Sequence, residues 1–130
     1  MKKYTTLLFF LLIFSIGWCN GPTMHWLEGN WVGTGGDVNS TFNWTITLSY
    51  NVDDQSIKLE YPSHSCGGSL KILTIETGKA NCVEDLNYGL GGCNTGLKVT
   101  IKQESDGSIT LNYYYAGNST IKSSAKLKRQ

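Results

Sequence analysis

Glu84 is the residue of this chain whose type and setting point most directly to chemistry. Ala80, Cys82, Leu86 and Tyr88 share its phase in an alternating segment. Regular alternation sends one phase of a strand toward a core, so the Glu84 carboxylate is expected to point inward. A buried carboxylate is costly unless it is paired or hydrogen-bonded. Inside a barrel it could orient a polar group of a ligand. The plainer alternatives are a bulge that turns Glu84 outward, or a corner where backbone N–H groups receive it.

Other reactive residue types offer less. His64 lies between Ser63 and Ser65, but neighbouring residues in an extended segment point apart, and a catalytic triad is a matter of geometry rather than adjacency. His25 is the other histidine, and no H-x-H or H-x-x-x-H spacing preorganises a metal site. Glycosidases need two carboxylates across a cleft. Glu60, Glu76 and Glu84 could be assembled that way, yet their spacing does not ask for it. Glu104 and Asp106 flank a turn. The expectation is a non-enzymatic protein without cofactor or metal.

Aromatic residues are the second lead, at 12% of the chain. Aromatic rings fill small cores well and also stack on ligands. The candidate ligand-binding set is Glu84, Trp31, Trp44, Tyr113, Tyr114 and Tyr115. Tyr114 falls between two inward positions and is expected to face solvent.

Strands must position these residues. Phe42, Trp44, Ile46, Leu48 and Tyr50 alternate with polar residues, the pattern of a half-buried strand. Ile57, Leu59 and Tyr61 alternate next, after turn residues at 51–54, so the pair reads as a hairpin. Strand pairing is expected to stop at Pro62, which has no N–H to donate. Gly67 and Gly68 permit close approach of another chain. Leu70 and Ile72 share one face while Leu73 and Ile75 share the other, a slip that suggests a bulge or a strand covered on both sides. Further rows are Leu97, Val99 and Ile101, then Ile109, Leu111, Tyr113 and Tyr115, and finally Ile121, Ala125 and Leu127. With Trp31 on an opening strand, about eight short strands result. The predicted fold is all-β, a small antiparallel meander closed into a barrel, which removes exposed edges. A two-sheet β-sandwich is the alternative.

The bulk properties agree. A chain of 130 residues with 16% charged residues and a formal charge of +1 is neither disordered nor a nucleic-acid binder, because the latter needs a concentrated cationic face. The basic tail of Lys122, Lys126, Lys128 and Arg129 reads as solvated surface. Lys2 and Lys3, an apolar run from Leu7 to Ile16, and small residues at Ser15 and Gly17 have the layout of a signal peptide. The division expected is a signal peptide over 1–17, a lead segment over 18–28 and a single β-domain over 29–130. The mature chain is expected to be secreted (extracellular, periplasmic or cell-surface) and to have no transmembrane segment. Cys19, Cys66, Cys82 and Cys93 allow three pairings between which the sequence does not choose. The glycine-rich settings of Cys66 and Cys93 favour that pair, leaving Cys19 with Cys82. The N-x-S/T sequons at Asn39, Asn43 and Asn118 matter if the source is eukaryotic.

Two resemblances follow from particular residues. Gly29-Asn30-Trp31 is similar to the G-x-W element of lipocalin- and avidin-like barrels, in which the tryptophan closes one barrel end. The combination of Gly29-Asn30-Trp31-Val32-Gly33, Tyr61-Pro62-Ser63-His64-Ser65-Cys66-Gly67-Gly68, Leu70, Glu84, Gly89, Cys93, Gly96 and Val99 resembles a small β-domain of bacterial secreted and cell-surface proteins. That resemblance implies a Cys66–Cys93 bridge and brings no established activity. The chain departs from it by adding Cys82. The partner expected is a small molecule or glycan held in or on the barrel. The alternative is an extracellular protein, as for an inhibitor of a secreted hydrolase.

Overall fold

The structure, a computed structural model, describes residues 22–130. The signal segment and Cys19 lie outside the described residues. Eight antiparallel strands follow in chain order: β1 (Gly29–Asp37), β2 (Asn43–Asn51), β3 (Ser56–Tyr61), β4 (Cys66–Glu76), β5 (Lys79–Tyr88), β6 (Lys98–Gln103), β7 (Ile109–Tyr114) and β8 (Ile121–Arg129). Each pairs with the next, and β1 pairs with β8 from Trp31↔Arg129 to Asp37↔Ser123. The sheet is therefore a closed barrel with no free edge, not a sandwich.

Period-two alternation fills the interior. Ile46, Leu48 and Tyr50 of β2, Ile57, Leu59 and Tyr61 of β3, and Leu111 and Tyr113 of β7 are all buried. β4 carries the expected bulge: Ile72 pairs with Cys82 and Thr74 with Asn81, leaving Leu73 exposed. A second irregularity, between Gly67 and Gly68, corrects the sequence reading of β5. It skips Asn87, and Tyr88 leaves the inward phase and is exposed. Phe42 and Ile121 also depart from their inward rows and are exposed, Phe42 because it precedes β2 and Ile121 at the start of β8 beside a register shift. Gly68 meets its predicted need, since a Cβ there would lie 2.2 Å from the Asp85 carbonyl oxygen of β5.

The two barrel ends differ. At one end a single 3-10 turn, His25–Leu27, lies across the opening with Met24 and Leu27 buried. Trp31 Nε1 donates to the Leu27 carbonyl at 2.8 Å. The Arg129 guanidinium lies 4.3 Å from the Trp31 ring centroid and donates to the carbonyls of Glu28 and, at 2.8 Å, Trp26. The other end gathers the C-terminal ends of β1, β3, β5 and β7 with the starts of β2, β4, β6 and β8. Here Pro62 ends β3 as expected, and residues Pro62–His64 form a 3-10 turn. Ser63 ties that turn to β2, its Oγ accepting from Thr45 N–H at 3.0 Å and its N–H donating to Thr45 Oγ1 at 3.1 Å. Cys66 and Cys93 form a disulfide, which fastens the 89–97 loop to the start of β4. Cys82 is buried and has no disulfide partner among the described residues; the expected pairing with Cys19 falls on a residue outside them.

Candidate functional site

Glu84 faces inward and is 3% exposed. Its backbone is fixed by the 89–97 loop: Glu84 N–H donates to Leu97 O at 2.9 Å, and Gly96 N–H donates to Glu84 O at 3.1 Å. The side chain meets two tyrosines from alternate strands. Tyr61 of β3 donates its hydroxyl to Glu84 Oε2. The hydroxyl of Tyr113, on β7, lies 3.0 Å from that of Tyr61. A phenol has one proton, so Tyr61 gives its own to the carboxylate and accepts that of Tyr113. Glu84 Oε1, by contrast, is buried without a hydrogen-bond partner.

Burial pushes the Glu84 carboxyl up to about 7, against the opposing pull of the Tyr61 hydrogen bond and the Lys122 charge. Burial also raises the Tyr61 and Tyr113 hydroxyls well above their usual range, with Glu84 adding to both shifts, so both remain protonated. The Cys82 thiol is pushed up to about 12 by burial. A thiol held that far from ionisation is unreactive.

The carboxylate forms part of the lining of a cavity of about 220 Å³ that opens at this end. Trp44 stands edge-on to both tyrosines, with ring centroids 5.4 Å from Tyr61 and 5.5 Å from Tyr113. Its position depends on Gly35 of β1, where a Cβ would fall 2.4 Å from the indole ring. Phe42 and His64 stack at the rim, 5.9 Å apart. Across the mouth, Lys122 Nζ lies 3.6 Å from Asp37, which also accepts from the Ser123 hydroxyl. The 89–97 loop completes the wall with Cys93, Asn94 and Leu97.

Of the candidate set, the fold brings together Glu84, Trp44 and Tyr113. Trp31 is at the opposite, closed end. Tyr114 is half-buried on the outer face. Tyr115 is exposed beyond β7, its ring 5.4 Å from Lys122 Nζ. It lines a second depression of about 480 Å³ beside the mouth, which lacks the buried polar groups of the first. Tyr61 was signalled by its phase with Ile57 and Leu59 and by the Tyr61–Gly68 stretch, neither of which marked it as a site residue. Asp37 and Ser123 gave no sequence signal, and Phe42, His64 and Lys122 were read in other roles, because loop geometry and barrel closure gather all five. His25 and His64 sit at opposite ends. Among the described residues no three His, Cys, Asp or Glu side chains are grouped to hold a metal ion, and no helix is long and apolar enough to cross a membrane. No protein-family model, curated protein or solved structure matches the chain.

Proposed function

We propose that this barrel is a secreted, non-enzymatic binding protein that takes a small polar molecule, or the end group of a larger one such as a glycan, into its open end. The observation that carries the reading is Glu84, which lines a solvent-open cavity and whose buried Oε1 has no hydrogen-bond partner. Leaving such a group unsatisfied costs about 1–3 kcal/mol, more when it is charged, and a ligand donor would remove that cost. Ligand sites commonly combine aromatic walls with a few fixed polar groups in cavities of roughly 300–1,000 Å³, so this one suits a small molecule. The disulfide and the signal-like N-terminus support export to an oxidising compartment. The position of Trp31 at the closed end supports the likeness to lipocalin- and avidin-like barrels. Recognition is favoured over catalysis because both tyrosines are held protonated and the Ser123 hydroxyl is bonded to Asp37.

Native mass spectrometry of the protein from its source tests this reading. A retained small mass that Glu84→Gln loses while still folding is the expected result. A Glu84→Gln variant with unchanged stability and unchanged ligand retention would sink it.

One observation favours a protein partner instead. Val38, Phe42, Tyr88, Leu90, Tyr115 and Ile121 are six of the eight large apolar side chains that are exposed among the described residues, and all six surround the open end. Clustered exposed apolar surface marks interaction sites. In the same experiment, an empty barrel that co-purifies with a second chain would support that reading.

A further inference from the structure

The open end also indicates what kind of group it accepts. The hydroxyl and ammonium donors that line the cavity with Glu84 are already engaged. Tyr61 donates to Oε2, Tyr113 donates to Tyr61, and the Ser123 hydroxyl donates to Asp37. Lys122 is held on Asp37 at 3.6 Å. Oε1 receives none of them, and a donor brought from outside would meet its demand. A neutral hydroxyl would supply a hydrogen bond but leave the buried charge uncompensated, whereas a cation supplies both, and charge-assisted hydrogen bonds are about twice as strong as neutral ones. The walls point the same way. Trp44, Tyr61 and Tyr113 converge within 5.4 to 6.4 Å of one another beside the carboxylate, and aromatic faces attract cations through their quadrupoles.

We infer that the open end binds an organic cation, a small primary ammonium group seated on Glu84 Oε1 among Trp44, Tyr61 and Tyr113. This rests on the mouth-binding reading above and names its ligand class. The cavity of about 220 Å³ limits the cation to a small ring or short chain, or to the amine end of something larger. The titratable and charged groups facing Glu84 are Tyr61 on β3, Tyr113 on β7, Lys122 on β8, Asp37 on β1 and His64 in the turn after β3. Lys122 works against a cation, and its pairing with Asp37 moderates that repulsion. An ammonium needs the ionised carboxylate, so binding displaces the Glu84 proton where one is held. Affinity then weakens as pH falls through about 7.

Titrations of the purified chain with benzylammonium and with its neutral counterpart benzyl alcohol, followed by NMR at the Trp44 indole, test this directly. Benzylammonium is expected to shift the Trp44 signal and bind about tenfold or more tighter than the alcohol. Its affinity should drop about tenfold per pH unit below 7. Lys122→Met should tighten it, and Glu84→Gln should abolish the preference for the cation. Because the pH dependence is read on the unaltered chain, the test survives a variant that does not fold. If the alcohol binds as tightly as the ammonium, the cation inference falls and the mouth-binding reading stands. If neither compound perturbs Trp44 at millimolar concentration, the cation inference falls, and the native mass measurement decides the mouth-binding reading separately.

Discussion

Trp31 and Trp44 lie on adjacent strands and both face the barrel interior, yet their surroundings are opposite. Trp31 is 1% exposed, its N–H is bonded to Leu27, and Arg129 covers its ring while tying down two carbonyls of the preceding turn. Trp44 is only partly buried. It stands beside a carboxylate that has one oxygen satisfied and one not. Trp26 Nε1 at the closed end also lacks a partner, but it is a neutral donor, and burying a charge costs far more than burying an amide-like dipole. The comparison separates two uses of the same residue types: one end is closed by mutual satisfaction, and the other keeps an unmet polar demand behind aromatic walls. Unmet demand of that kind is expected at a site that a second molecule completes.

The largest effect should come from the closed end. Trp31→Ala removes a fully buried ring and strands Arg129, and a loss of about 3–5 kcal/mol is expected in chemical denaturation. At the open end the Cys66→Ser, Cys93→Ser double variant should lose about 2–4 kcal/mol. Hydrogen exchange should show the loss of protection concentrated in the 89–97 loop and at Glu84, with the Trp31 end unchanged. A loss spread evenly over the barrel would erase the distinction between the ends.

Glu84→Gln should run in the opposite direction. The Glu84 carboxyl holds its proton more tightly in the folded chain, at about 7 against an ordinary 4.5. The folded state therefore carries more protons than the unfolded state between those values, and stability falls as pH rises through that window. The size of the fall is on the order of 2–3 kcal/mol. The glutamine variant should lack this slope and be the more stable chain at pH 8, as read by urea midpoints at pH 5 and 8. The smallest effect is expected at Tyr114, whose half-buried outer-face ring lines neither cavity. Tyr114→Ala should change stability by less than about 0.5 kcal/mol and leave any ligand affinity unchanged.

The barrel was largely legible because alternation and turn residues act locally. The rows Ile46-Leu48-Tyr50 and Ile57-Leu59-Tyr61 set their own phase, and Pro62 set the end of β3. The phase slip at Leu73 announced its bulge. Where reading failed, a non-local pairing had intervened. Tyr88 shares the phase of Glu84 in sequence, but the irregularity opposite Gly67 and Gly68 turns it out. The site was legible only in its centre. Glu84 was visible as a polar residue in an apolar row, whereas its union with Tyr61 and Tyr113 depends on closure of β1 against β8. Trp31 and Trp44 look alike in an alternating pattern, and only the 3-10 turn over one end tells them apart.

The central claim is that the open end holds a buried carboxylate with one oxygen unpartnered. Its most direct test is a pH titration of the Glu84 side-chain carboxyl by carbon-detected NMR on the ligand-free chain. A midpoint near 7, moving down when benzylammonium is added, is the result this account predicts. A midpoint near 4.5, unmoved by the amine, would mean that Glu84 is solvated or already paired, and would contradict it.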